Sequence, residues 1–263
     1  MVAPQGRAGS PPAGHGAQLR ARAAAASEVG KVRAVNEDAY VARSPVFMVA
    51  DGMGGHNAGD LAAQAAVEQM GRLADLARDG RPLTQGQVAD AVEAARRRIA
   101  ELPRSAVGRA AGTTLTGAVL TGPPGAPQWL VVNLGDSRTY RFAQGALVQL
   151  TRDHSEVQAL VAAGLMTPLQ ARSHPRRHVV TKALGAGVVC QADFEAVPAR
   201  LGDRLLICSD GLTEHVGDRR LAQILGRSAE PAGAVAALVR CALAAGGKDN
   251  ISVIVVDLVQ AEP

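Results

Sequence analysis

The order in which apolar periodicities follow one another most constrains what this chain can fold into. Alternating apolar and polar residues start at Leu19 (Leu-Arg-Ala-Arg-Ala), as in a half-buried strand, and short β-rich runs follow at 40–43 and 46–50. Two helical blocks come next. Residues 57–78 place Leu61, Ala65, Leu73 and Leu76 at helical spacing behind Asn57 as a cap. Thr84-Gln85-Gly86-Gln87 has the form of a capping box and opens a second helix through Leu102, with Val88, Val92 and Ile99 on one face. Strand-like runs at 113–121, 128–134 and 138–142 precede helical character at 154–163 and a mixed, basic stretch at 164–187. Strands are expected again at 188–197 and 203–209, helices near 218–226 and 231–245, and a last strand at 251–257. This order lacks the regular βαβα alternation of a doubly wound parallel sheet, so it predicts an α+β fold with antiparallel pairing. The elements follow without long linkers, which predicts one domain over residues 17–263. Residues 1–16, rich in Gly, Pro and Ala, are expected to form a disordered lead-in.

Composition narrows the function. Hydrophobic residues make up 47% and charged residues 20%, a globular balance. Three Phe, two Tyr and one Trp are too few for a protein that stacks bases on exposed rings. The formal charge of +4 is largely a tail effect: residues 1–26 hold Arg7, Arg20 and Arg22 and no acid, which leaves +1 beyond them. A nucleic-acid module is therefore disfavoured. Cys190, Cys208 and Cys241 are far apart, with no C-x-x-C spacing, so neither a disulfide framework nor a thiolate zinc site is indicated. Free thiols in a reducing cytoplasm are expected. No apolar run approaches the roughly 18 residues of a membrane span, and Arg20 and Arg22 interrupt any signal-like segment.

Chemistry enters through carboxylates that recur where apolar strands end. Val46-Phe-Met-Val-Ala runs into Asp51-Gly52-Met53-Gly54-Gly55-His56, and Leu205-Leu-Ile-Cys-Ser runs into Asp210-Gly211. Asn36-Glu37-Asp38 precedes Tyr40, Asp249-Asn250 precedes Ile251, and Asn133-Leu-Gly135-Asp136-Ser137-Arg138 joins two strands. An acid at a strand end is rigidly placed, and a following glycine lets backbone come close to a ligand. Several such ends converging would form an all-oxygen site, suited to magnesium or manganese rather than zinc. Each stretch also has a plainer reading. A lone Asp-Gly is usually a turn, and Asn36-Glu37-Asp38 alone could be a solvated hairpin. Residues 51–55 could be a phosphate cradle, but they lack the G-x-G-x-x-G spacing and the Walker lysine.

Taken together, these stretches resemble the metal-dependent Ser/Thr protein phosphatases of the protein phosphatase 2C type, in their bacterial form. The resemblance rests on Gly30-Lys-Val-Arg33-Ala-Val-Asn36-Glu37-Asp38, Asp51-Gly-Met-Gly-Gly-His56, Gly112-Thr113-Thr114, Gly135-Asp136-Ser137-Arg138 and Asp153-His154-Ser155. Thr181-Lys-Ala-Leu-Gly185, Cys208-Ser-Asp210-Gly211-Leu212 and Asp249-Asn250 complete it, in the family's order, over about residues 20–258. It implies a β-sandwich of two antiparallel sheets flanked by helix pairs.

The resemblance also implies roles. Two manganese or magnesium ions would be bridged by Asp51, with Gly52 adding its carbonyl oxygen. Glu37 would serve one ion directly or through water, and Asp210 and Asp249 would hold the other. Asp38 would orient a water on the metals, and Arg33 would grip the phosphate, for which a forked guanidinium is suited. A surface arginine is the plainer reading of Arg33. Asp136 would help hold a third, weaker ion, or act as a structural turn carboxylate. The implied reaction is direct attack of a metal-bridging hydroxide on phosphoserine or phosphothreonine of proteins, opposing bacterial Ser/Thr kinases. A monomer is expected. The alternative is a catalytically silent relative that binds phosphoproteins or a regulator.

Departures from the family pattern are informative. Met53 stands where eukaryotic members carry the His thought to act as general acid, and neither His56 nor His154 can be assigned that role. Residues 164–187 match the family's mobile flap, with Arg172, His174, Arg176, Arg177, His178 and Lys182 in it. That run is either a solvated loop or a guide for phosphopeptide or a regulator. His178 stands where bacterial members often have Asn. No C-x5-R loop follows any cysteine, so Cys208 is expected to be a structural thiol.

Overall fold

The computed structural model describes residues 19–54, 58–103, 110–123, 125–186 and 191–261. Two sheets face each other. The five-stranded sheet runs in the order β1 (Leu19–Glu28), β12 (Ile251–Gln260), β11 (Arg204–Cys208), β7 (Arg138–Ala143) and β8 (Ala146–Gln149). The second sheet runs β10 (Asp193–Pro198), β6 (Gln128–Leu134), β5 (Leu115–Thr121), β3 (Val46–Met53), β4 (Gly112–Thr113) and β9 (Leu184–Gly185), with β2 (Asp38–Arg43) on β3. Every ladder is antiparallel, as the order of periodicities predicts.

Helices cover both outer faces. Helices α1 (Ala58–Leu76) and α2 (Gln85–Ala100) bury Ala62, Ala66, Met70, Val88 and Ile99 on the seven-stranded sheet. Helices α6 (Asp218–Arg227) and α7 (Pro231–Ala244) bury Leu221, Leu225, Leu238 and Val239 on the five-stranded sheet. The result is an α-β-β-α stack with three apolar layers. Strand β3 shows why its sequence reads as an unbroken apolar run: Phe47 and Val49 face the space between the sheets, while Val46, Met48 and Ala50 face the helices. Strand β12 does the same with Ile254 and Val256 inward and Val253 and Val255 under α7. Burying such a Val or Ile fully is worth about 1.5–3 kcal/mol. The single Trp, Trp129, packs edge-on against Phe47 at 6.4 Å in the middle layer.

Local signals account for most boundaries. The Thr84–Gln87 capping box forms in both directions. The helix expected at 154–163 spans α3 (Glu156–Ala162) behind Ser155, whose hydroxyl accepts from Gln158 N–H. Elsewhere the structure differs from expectation. The run at 113–121 breaks at Thr114, because that residue turns its amide to the Asp51 carbonyl at 2.9 Å. Strand β8 was not expected. The basic stretch holds helix α4 (Pro168–Ser173), capped by Thr167 and Gln170, and the short strand β9. The strand expected at 188–197 is observed from Asp193, and a one-turn helix, α5 (Asp210–Thr213), follows β11. The lead-in at 1–16, the cap Asn57, His56 and Cys190 lie outside the described residues.

Candidate metal centre

The acids picked out in the sequence gather at one end of the sandwich. Asp38 opens β2 and sits directly opposite Asp51 near the end of β3. Asp136 lies in the turn between β6 and β7, Asp210 starts α5 directly after β11, and Asp249 lies just before β12. The seven-stranded sheet thus supplies Glu37, Asp38 and Asp51, and the five-stranded sheet supplies Asp210 and Asp249.

Backbone contacts hold each acid in place. The Asp51 amide donates to Thr114 Oγ1 at 3.0 Å, and its carbonyl accepts from the Thr113 hydroxyl at 3.0 Å. Gly52 N–H donates to the Glu37 carbonyl at 3.1 Å. A Cβ at Gly52 would come within 2.6 Å of that carbonyl oxygen and would collide with the Gly59 carbonyl, so only glycine fits here. Asn250 ties three segments: its Oδ1 accepts from Glu37 N–H at 2.9 Å, and its Nδ2 donates to the Val29 and Val35 carbonyls at 3.0 Å each. The loop carrying Arg33 and Glu37 is thereby fixed to the start of β12. Ser209 crosses between the sheets, donating to Asp38 Oδ2 at 2.8 Å and accepting from Ser252 N–H at 2.9 Å.

Electrostatics show what the cluster lacks. Desolvation, then repulsion from Asp38, Asp210, Asp136 and Asp249, pushes the Asp51 carboxyl well above its ordinary range. Asp210 is raised in the same way, by desolvation and then by repulsion from Asp136 and Glu214. Desolvation lifts Asp136 to about 7, helped by Asp153, and Asp38 to about 6. The buried Oδ1 of Asp38 has no hydrogen-bond partner among the described residues. A cluster of oxygen donors that repel one another around an unpartnered carboxylate oxygen fits hard divalent cations. Glu37, Asp51, the Gly52 carbonyl, Asp210 and Asp249 are the residues that could hold them, with Asp136 beside Asp210; among the described residues, His178, Asp210 and Glu214 also bring ligand atoms within 4.8 Å of one another.

Arg33 approaches the same cluster from the rim. Its Nη2 lies 2.7 Å from Asp249 Oδ2, and that hydrogen bond raises the guanidinium pKa further. Half of its side chain remains exposed.

Other candidates take structural roles. His154 is buried; its Nδ1 accepts from Gly135 N–H at 3.1 Å and its Nε2 lies 2.9 Å from Asp193 Oδ2. Both ring nitrogens are engaged, which leaves it no free proton to deliver. Cys208 is fully buried, and burial pushes its thiol up to about 12, so it is no nucleophile. Glu214 was not singled out in the sequence. It follows Asp210 by four residues, so one helical turn brings both carboxylates to the same side. His178 Nδ1 meets Glu214 Oε1 at 2.6 Å and lies 4.0 Å from Asp210 Oδ2, which joins the flap to the centre. The i,i+4 spacing in Asp-Gly-Leu-Thr-Glu was the available signal.

Comparison with known proteins identifies the family. The family model described as Protein phosphatase 2C matches residues 31–245. The serine/threonine protein phosphatase PstP of Mycobacterium tuberculosis is 39% identical over 241 residues, 90% of this chain. The chain spans 45% of that relative's length. The serine/threonine phosphatase stp of Listeria monocytogenes is 34% identical, with 87% of this chain and 92% of the relative covered. A crystal structure of the catalytic domain of PstP in complex with 2 manganese ions superposes with a TM-score of 0.81 at 35% identity, covering 92% of this chain and 100% of that one. By the family model and by its sequence and fold likeness to these phosphatases, the chain belongs to the protein phosphatase 2C family.

Proposed function

We propose that this chain is a metal-dependent protein serine/threonine phosphatase, acting on phosphoserine and phosphothreonine in proteins and opposing a Ser/Thr kinase. The observation that carries the proposal is the approach of acids from two sheets to one end of the sandwich, where desolvation and then repulsion among Asp38, Asp51, Asp136, Asp210 and Asp249 push the Asp51 and Asp210 carboxyls up. The family relationship and the two manganese ions of the PstP catalytic domain support the same reading. The reading extends to a single catalytic unit over residues 17–263, a monomer working in the cytoplasm. Among the described residues no helix is long and apolar enough to cross a membrane.

The chemistry follows from the parts. A phosphomonoester dianion resists hydrolysis because the nucleophile must approach negative charge. Bound divalent cations would neutralise the phosphoryl oxygens and make water a competent nucleophile at neutral pH. Glu37, Asp51, Asp210 and Asp249 would hold two such ions, manganese or magnesium, and Asp136 would contribute to a weaker third. Asp38, held through Oδ2 by Ser209, would turn its free Oδ1 toward the attacking water. Arg33 would exchange its Asp249 contact for the phosphate oxygens, a contact suited to its forked geometry. Displacement would be direct, since Cys208 is buried and protonated.

The test is hydrolysis of p-nitrophenyl phosphate and a phosphothreonine peptide with manganese, then with EDTA. Manganese-dependent turnover that EDTA abolishes is expected, and Asp210→Asn should lose most of it while keeping the far-ultraviolet spectrum. Metal-independent hydrolysis, or none with manganese, would sink the proposal. A silent phosphoprotein-binding module is disfavoured because every expected acid is present.

A further inference from the structure

Beside the acid cluster, a cleft of about 640 Å³ opens between the flap and the segment from α5 to α6. Asp136 and Asp210 form part of its wall, so it is continuous with the candidate centre. Most of its charged side chains are already matched. Arg138 makes a three-bond contact to Asp153, with Nη2 2.6 Å from Oδ2. Arg172 on α4 reaches Asp218 at 3.6 Å, and His178 holds Glu214 at 2.6 Å. Arg176, next to the cleft, is taken by Glu156 at 2.7 Å.

Two cations in the lining stand apart. Arg177, on the flap, and Lys248, in the loop before β12, are both exposed. Neither side chain has a hydrogen-bond or ion-pair partner among the described residues. With divalent cations on Asp136 and Asp210, the acids left in the lining would be Asp153 and Asp218, paired with Arg138 and Arg172, and Glu214, in contact with His178; Arg138, Arg172, Arg177 and Lys248 outnumber these three. The charge left to meet a ligand is therefore positive, and it is offered from both the flap and the loop adjoining Asp249.

We propose that this cleft is the docking groove for residues flanking the phosphorylated side chain, and that Arg177 and Lys248 make it select acidic phosphopeptides. The inference rests on the phosphatase reading of the centre and adds the substrate class. A phosphate seated at the acid cluster would lead its own peptide chain into the groove, where Asp or Glu close to the phosphoresidue would meet the two free cations. Lysine or arginine at the same positions would meet like charge.

The experiment uses the full chain with manganese and a phosphothreonine peptide series carrying Glu, Ala or Lys on either side, with p-nitrophenyl phosphate as the substrate that has no flanks. Glu-flanked peptides should exceed Ala-flanked ones in kcat/KM by roughly fivefold, and Lys-flanked ones should fall below by a similar factor, as expected for two exposed charge contacts. The preference should shrink in 0.5 M salt, used here as roughly ten times the ionic strength of a low-salt assay. Arg177→Ala with Lys248→Ala should flatten the series and leave p-nitrophenyl phosphate turnover unchanged. The double charge reversal, Arg177→Glu with Lys248→Glu, should turn the preference toward Lys. Equal kcat/KM across the series with active p-nitrophenyl phosphate hydrolysis overturns this inference alone, as would a preference that survives both double variants. Absence of any manganese-dependent turnover overturns the phosphatase reading and this inference with it.

Discussion

Arg33 Nη2 lies 2.7 Å from Asp249 Oδ2, so the cation proposed to grip phosphate is held by an acid proposed to bind metal. The two cannot use this contact and their proposed ligands at full strength together. Filling the centre would draw the Asp249 carboxylate onto a cation and free the guanidinium, which is half exposed and anchored at no other described side chain. On the proposed roles, metal binding and phosphate binding would be coupled through this one hydrogen bond. Arg33→Ala should lower kcat/KM for a phosphothreonine peptide by about 10- to 100-fold, the range for losing a charged hydrogen bond. Its affinity for manganese, measured by calorimetry, should hold or improve, because Asp249 no longer has a competitor. A loss of manganese affinity would show that Arg33 organises Asp249 rather than competing for it.

Ser209 is the second lever. It is buried and makes the described hydrogen bond to Asp38 Oδ2, while its own oxygen accepts from Ser252 N–H. Ser209→Ala would remove the larger of the two serine hydrogen bonds acting on Asp38 and strand the Ser252 amide, at a cost of about 1–3 kcal/mol. The expected result is a kcat for p-nitrophenyl phosphate lowered about tenfold, equivalent to 1.4 kcal/mol in the barrier, with KM little changed. An unchanged kcat in a folded variant would mean Asp38 needs no anchor.

Arg204 and Asp257 are both buried and form a bidentate pair, Nε to Oδ1 at 2.6 Å and Nη2 to Oδ2 at 2.7 Å. Arg204 Nη1 also donates to the Leu225 and Ser228 carbonyls at 2.6 Å, so the pair ties β11 and β12 to the end of α6. Asp257→Ala strands a buried guanidinium and should cost about 3–5 kcal/mol. That corresponds to a Tm lower by about 10 °C for a chain of this size. Arg204→Met combined with Asp257→Ala should recover much of the loss, while manganese-dependent turnover at 25 °C stays near that of the parent. Equal destabilisation in the single and double variants would count against a stranded charge.

These residues also show what was legible beforehand. Asp51 and Asp210 could be read because a buried strand forces an unbroken apolar run, and an acid at its end is conspicuous. The capping box at Thr84 could be read because both halves lie within four residues. The identical device at Thr167 and Gln170 was obscured by the basic residues that follow, which masked a helix of six residues. Helix α5 spans four residues, too few for an apolar period to show, so the i,i+4 spacing of Asp210 and Glu214 is the one local signal it leaves. The pairing of β1 with β12, the ties from Asn250 to Glu37, and the Ser209 bridge join positions far apart in the chain. No local pattern encodes them. The grouping of acids at one site was reached through the family resemblance, because strand ends alone do not say which of them meet.

The metal-free protein should also report its acid cluster through pH. Asp38 and Asp136 sit near 6 and 7 when folded, against an ordinary value of 3.8, and Asp51 and Asp210 are raised as well. Between about pH 4 and pH 7 the folded chain therefore holds more protons than the unfolded chain, and stability falls as pH rises. Asp193 acts in the opposite sense: desolvation is outweighed by hydrogen bonds from His154 and Lys182, which lower its pKa. Its contribution is lost only as pH falls below the ordinary carboxylate range, outside this window. With EDTA present, Tm should be higher at pH 5.5 than at pH 7.5 by about 3–8 °C, equivalent to a stability difference of a few kcal/mol. Manganese should reverse the order, because cations bind the ionised carboxylates and raise Tm most at the higher pH. Calorimetric scans at both pH values, with and without manganese, test the two signs together. A metal-free Tm that is flat or rises toward pH 7.5 would show that burial and mutual repulsion do not raise these carboxyls in the folded chain.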